Sequence, residues 1–393
     1  MDDTFFIVRE PLLDPKQKVL GYELTLQKAG STDIANTDAN LDHLAGFVAG
    51  RLHSDDDGWL LGDNLVFMQS SPALLGSAAL EAMSPQHTVL TLKMADLVDD
   101  DTIAAVKSLR AQGFGISLRD ANAIAQDKTL VPIASHVEIQ FATTDFPTQA
   151  KIYGALKQSS IRMVARQIAN WQEYDSCASL GLNVFIGGLY REPRNAPQPK
   201  GLNPAQAMIL QLMDMVRKNA DVRQLEAVLK RDAALSYKLL RYINSAGFGL
   251  GTEIQSLRHA VAMLGYSPLY RWLSVLLATA SANGESQILM QTAIVRGRLA
   301  ELLGQGLLPK SEAENLFVAG MFSLLDRLLG IPMEEVLDNI QLSEAVSQAL
   351  LSRGGMYGPA LALAEACEFG NGCVSEIAES LFISATQVNE AHM

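Results

Sequence analysis

A chain of 393 residues, 48% hydrophobic and 19% charged, is longer than a single core usually organises and too apolar for a disordered or fibrous protein, so two globular domains are expected. A formal net charge of −12 disfavours nucleic acid and anionic lipid as partners over most of the surface. Three cysteines, Cys177, Cys367 and Cys373, are an odd number without a zinc-ligand run, which predicts reduced thiols in a cytoplasmic setting and a packing role for them.

The opening Met1-Asp2-Asp3-Thr4-Phe5-Phe6 is acidic where an export signal is basic, so export is not expected. From there to about residue 190, β-rich runs at 5–8, 19–26, 65–68, 89–92, 114–118, 137–141, 161–164 and 183–186 alternate with helical stretches. The helix after Asp38 places Leu41, Leu44, Phe47, Val48 and Leu52 on one face, and the helix after Asp101 places Ile103, Val106 and Leu109 likewise. This is the rhythm of a β/α barrel. Residues 13–18 are too few for a crossover helix, so the first two strands should pair antiparallel.

Pro193, Pro197 and Pro199 fall within residues 191–201 and predict an extended linker, giving domains at 1–193 and 202–393 with a linker at 194–201. Strand signals then vanish. Asn203-Pro204-Ala205-Gln206 offers an N-cap, a first-turn proline and a capping-box glutamine, and Asp221 repeats the cap. Ser256 and Gly265 frame a helix whose stripe is Leu257, Val261 and Leu264. The apolar run 272–280 is about half the length that spans a bilayer and reads as a buried helix, so no membrane association is expected and the second domain is all-α.

Arg9-Glu10-Pro11-Leu12-Leu13-Asp14, followed by Gly21-Tyr22-Glu23-Leu24-Thr25-Leu26-Gln27, resembles the opening of EAL domains, particularly those preceding an HDOD domain. Phe185-Ile186-Gly187-Gly188-Leu189-Tyr190, ending at Pro193, is similar to that family's terminal segment. The resemblance implies a β/α barrel with one antiparallel strand and, in active members, a metal-dependent phosphodiesterase that linearises cyclic di-GMP. Such chemistry needs oxygen donors around Mg²⁺ or Mn²⁺ and a base for water.

Compared residue by residue, the family's site is degraded. Glu23 matches the motif glutamate, but the phosphate-binding arginine is Gln27, the metal-binding asparagine is Gln69 and a ligand glutamate is Met94. The paired aspartates become Arg119 and Asp120, the catalytic lysine and its aspartate become Glu138 and Gln140, Arg166 lies in a segment that supplies further glutamates, and a late glutamine becomes Ile186. Glu23 and Asp120 are then expected as barrel-mouth groups salt-bridged to Arg119 or Arg166, or as parts of a pocket remodelled for an anion.

Arg231-Asp232-Ala233-Ala234-Leu235, then Leu239, Leu240, Asn244 and Ser245, closely resembles the HDOD signature, and Leu257, Ala260, Leu264 and Gly265 fall in its second block. HDOD domains share a helical fold with HD phosphohydrolases but lack their ligands. Ser323-Leu324 stands where the His-Asp pair would be; His259 reads as a polar surface or core residue, and His392 falls in a tail expected to be disordered. Lys238 and Arg241 are too sparse for a DNA-recognition helix.

The resemblance thus implies a non-catalytic bacterial signalling adaptor without cofactor or metal, linked to cyclic di-GMP or stress signalling. Its expected partners are signalling proteins, with a diguanylate cyclase, a response regulator or a kinase as candidates, and self-association is a further mode. Two other readings stand beside it: a non-hydrolysing nucleotide receptor and a weak residual phosphodiesterase.

Overall fold

The computed structural model describes residues 5–31, 33–52, 64–120, 124, 131–140, 144–191, 203–245, 254, 256–280, 287–329, 331–339, 342–370 and 373–392. Two compact units emerge: residues 1–192 together with 366–393, and residues 193–365. The linker expected at 194–201 lies outside the described residues.

In the first unit, eight strands close a barrel in sequence order: β1 (Phe5–Leu13), β2 (Val19–Lys28), β3 (Leu65–Gln69), β4 (Thr88–Lys93), β5 (Gly115–Arg119), β6 (His136–Gln140), β7 (Arg162–Arg166) and β8 (Val184–Ile186). Every expected strand is present. β1 runs antiparallel to both β2 and β8, and the remaining neighbours are parallel, as the short first connection requires.

Helices α1 (Asp38–Leu52), α2 (Ala78–Glu81), α3 (Asp100–Gln112), α4 (Phe146–Leu156) and α5 (Trp171–Ser179) lie between the parallel strands. Leu41, Leu44 and Val48 of α1 are buried, as are Val106 and Leu109 of α3. The cap of α3 is Asp99, which accepts from the Thr102 amide, and Gly113 stops the helix in the left-handed region.

Side-chain alternation divides the barrel interior into two layers. Leu12, Phe67, Val89, Val164, Val184 and Ile186 form one apolar cluster, each contributing about 1.5–3 kcal/mol through burial. Residues of the same parity nearer the strand ends are polar, and they build the site below.

The second unit is helical: α6 (Pro204–Arg217), α7 (Val222–Leu229), α8 (Ala233–Ser245), α9 (Leu257–Leu264), α10 (Tyr266–Ala280), α11 (Gln287–Gln305), α12 (Lys310–Phe322), α13 (Leu325–Leu329), α14 (Met333–Asn339) and α15 (Glu344–Ser352), running into α16 (Gly358–Phe369). Asn203 and Gln206 form the full capping box, worth about 1 kcal/mol. Ser256 caps α9 and Gly265 ends it, but its buried face runs through Leu257 and Ala260, while Val261 and Leu264 are half-buried. Trp272 is fully buried in α10, and no helix among the described residues is long and apolar enough to cross a membrane.

The division at 202–393 needs correction in its last stretch. Residues 366–393, with α17 (Val374–Ser380) and α18 (Ala385–His392), group with the barrel because α18 packs on β1. His392 is accordingly buried in a helix, against the expectation of a disordered tail. Cys177 and Cys367 are buried as expected, whereas Cys373 is exposed.

Candidate functional site

Four charged side chains from four strands meet inside the barrel. Glu23 of β2 accepts a two-pronged ion pair from Arg166 of β7, with Nη1 to Oε1 at 2.9 Å and Nη2 to Oε2 at 2.7 Å. Arg119 of β5 donates from Nη2 to the same Glu23 Oε1 at 3.2 Å and from Nε to Glu138 Oε2 on β6 at 3.0 Å. Arg166 Nη1 also lies 3.4 Å from Glu138 Oε2. The other oxygen of Glu138 accepts from Ser117 at 2.8 Å and from Thr91 at 3.2 Å.

The backbone explains this convergence. Ser117 and Arg119 have one parity on β5, Glu138 and Gln140 on β6, Val164 and Arg166 on β7, so all face the lumen that Phe67 and Val164 fill below. Both arginines are strand-terminal, and each is followed by a non-glycine residue in the left-handed region, Asp120 at φ 57° and Gln167 at φ 58°. The chain turns away there, and each guanidinium is left to reach across the lumen.

The two carboxylates are almost wholly buried, and the arginine side chains keep only 15% (Arg119) and 12% (Arg166) of their exposure. Two negative and two positive charges cancel. Burial pushes the Glu138 carboxyl up, but the Arg166 and Arg119 guanidinia outweigh it and hold it below the usual carboxylate range. Burial pulls Arg166 down, and Glu23 and Glu138 more than reverse this, so it stays cationic.

The other expected residues divide. Asp120 is exposed and enters no ion pair among the described residues, so the salt bridge foreseen for it is not formed; its left-handed backbone turns it outward. Gln69 ends β3 and is half-buried, and Met94 opens the turn after β4, also half-buried. Gln140 ends β6. Ile186 is part of the apolar layer. Gln27 is buried away from the four-charge cluster, its Nε2 donating to the Gly370 carbonyl at 2.8 Å. Among the described residues, no three His, Cys, Asp or Glu side chains gather as a metal would use them.

In the helical unit, Asp232 caps α8 by accepting from the Leu235 amide at 2.9 Å, and Arg231 occupies the exposed turn before it. Leu235, Leu239, Leu257 and Ala260 are buried and Leu240 is half-buried; the side chains of Asn244 and Ser245 lie outside those described. Ser323 accepts from the buried Arg296 Nη1 at 2.8 Å and donates to the Gly320 carbonyl at 2.6 Å. Glu365 accepts from the same Arg296 nitrogen at 3.0 Å and from Arg353 Nε and Nη2, each at 2.8 Å.

Glu138 was named as a site position, but its ion pairs with Arg119 and Arg166 were not anticipated, nor was the Arg296 cluster. Lumen parity shared with Ser117 and Arg119 would have placed Glu138. Nothing local marks Arg296, whose partners are 27 and 69 residues away.

Residues 202–338 match the family model of the HDOD domain. The chain is 25% identical over 384 residues to a protein of Vibrio cholerae named cyclic di-GMP phosphodiesterase CdgJ, covering 93% of this chain and 85% of that one. It is 24% identical over 381 residues to the uncharacterized protein YuxH of Bacillus subtilis, covering 93% and 91%. Among solved structures, an EAL domain protein from Listeria monocytogenes is similar at 11% identity and a TM-score of 0.36, over 47% of this chain and 86% of that one. Residues 202–338 of this chain thus carry an HDOD domain, joined to a closed eight-stranded barrel whose first strand runs antiparallel to both its neighbours.

Proposed function

We propose that this chain is a non-catalytic signalling adaptor of the cyclic di-GMP type, acting through protein contacts. The observation that carries the reading is the four-charge cluster. The carboxylates that could serve a divalent cation, Glu23 and Glu138, already accept hydrogen bonds from guanidinia on both of their oxygens or from Ser117, Thr91 and Arg119 together. A divalent cation at about 4 Å from a guanidinium meets a repulsion of roughly 8 kcal/mol at an effective dielectric of about 20. The donor set therefore does not fit such an ion.

The Vibrio cholerae relative's name supports a second reading, a cyclic di-GMP phosphodiesterase. One experiment separates the two. The full chain is incubated with cyclic di-GMP and Mn²⁺ or Mg²⁺, and linear product is followed by chromatography alongside the Glu23→Ala variant. No product from either protein is the expected result. Product from the parent that disappears in Glu23→Ala would establish the phosphodiesterase, and calorimetric binding without product would make the chain a nucleotide receptor.

A further inference from the structure

Strand β1 pairs with β2 along its whole length but with β8 only at Leu12 and Leu13. On the side facing away from β2, the Phe5–Ile7 backbone meets α18. Asn389 Oδ1 accepts from the Ile7 amide at 2.7 Å, and Asn389 Nδ2 donates to the Phe5 carbonyl at 2.9 Å.

A residue of a parallel strand opposite Phe6 would make the same two contacts, giving its N–H to the preceding carbonyl and taking the following amide. One side-chain carboxamide therefore stands in for a strand neighbour. Asn389 is fully buried, Gln27 fastens the same segment at Gly370, and an exposed pair between Arg51 and Glu390 at 2.6 Å closes it from outside.

The strand end so covered reads Phe5-Phe6-Ile7-Val8, uncharged and strongly β-forming. A bare edge of this kind is a template for another copy of itself, because two identical edges across a two-fold axis satisfy each other's donors and acceptors with no like charges opposed.

We infer that residues 366–393 act as a guard on this edge, and that the edge when bared is a self-association surface whose partner is a second copy of this chain, β1 against β1. The inference is independent of the reading of the barrel interior.

The test uses the full chain carrying Asn389→Asp, which removes the donor to Phe5 and sets a carboxylate against its carbonyl. Hydrogen exchange reads whether residues 385–392 have opened, and light scattering reads molar mass over a tenfold concentration range. The expected result is faster exchange of the segment and a mass rising toward twice that of the parent at the highest concentration. Adding Ile7→Pro should return the mass to the parent's, since the Ile7 amide points away from β2 and its loss spares the β1–β2 ladder. Where Asn389→Asp fails to fold, Arg51→Glu loosens α18 from the surface and should give the same readings. An unchanged mass in a variant whose segment has opened overturns the inference, as does an increase that survives Ile7→Pro. Unchanged exchange in both variants overturns the guard itself.

Discussion

Arg166 and Glu23, separated by 143 residues, are joined by two parallel hydrogen bonds inside the barrel. The pair is shared, because Arg119 reaches the same carboxylate. Its energetics follow from burial: each charge is tolerated only while its partner is present.

Removing one member should therefore cost far more than removing both. Arg166→Leu is expected to destabilise the barrel unit by about 3–5 kcal/mol, leaving Glu23 and Glu138 with less cationic compensation. Adding Glu23→Leu should recover part of that loss. Urea denaturation of both variants checks this, and a double variant less stable than Arg166→Leu would show that the carboxylate is not the burden supposed.

Acid should weaken the fold in a defined window. Burial first, then the Arg162 and Arg110 charges, lower the His136 imidazole to about 4 from its ordinary 6.5, although Glu138 opposes them. The folded state binds fewer protons between these values than the unfolded one, so this stability is complete above pH 6.5 and is lost as pH falls toward 4. The full contribution is about 3 kcal/mol. His392, buried beside Arg9, is lowered in the same direction, and Glu138 adds stability above its unfolded value of 4.5 that is lost as pH falls further. Denaturation midpoints taken from pH 7 to 4 should decline less steeply in His136→Leu than in the parent. Equal slopes would count against the assignment.

Two glycines should respond to alanine in opposite ways. A Cβ on Gly187, at φ +153°, would stand 2.3 Å from the Ile168 carbonyl oxygen, whereas nothing lies within 4 Å of one on Gly154 in α4. Gly187→Ala is expected to cost roughly 1–3 kcal/mol, and Gly154→Ala to gain up to about 1 kcal/mol of helix propensity. Thermal midpoints measured side by side report both signs.

In the helical unit, Arg296→Leu should be among the more damaging substitutions, at about 3–5 kcal/mol, because it leaves Glu365 with Arg353 alone and strips the Ser323 hydroxyl of its donor. Arg296→Lys keeps the charge but replaces the planar guanidinium, whose Nη1 donates to both Ser323 and Glu365, with a shorter ammonium, and should recover only part of this. Full recovery by lysine, read by calorimetric unfolding, would mean that charge rather than geometry holds the cluster.

Much of the architecture was legible along the chain. Strand alternation marked all eight strands, and the five residues between the first two dictated their antiparallel pairing. Asn203, Asp221 and Ser256 announced helix starts through side chains that bond amides two or three residues on. These are short-range effects, and a local spacing encodes them completely. The lumen-facing residues were nameable too, since parity along a strand assigns each to one face.

Only closure of the barrel decided which of those residues meet. Arg119 and Glu23 are 96 residues apart and Asn389 and Ile7 are 382 apart, distances over which no local pattern carries information. Asp120 was expected in an ion pair and Glu138 was not, yet a left-handed backbone turned Asp120 outward while Glu138 stayed on its strand. For the same reason the helices of residues 366–393 resembled their neighbours in sequence but belong to the barrel. Helical periodicity shows that a face will be buried, and the partner that buries it is chosen by complementary shape and by unsatisfied backbone groups in three dimensions.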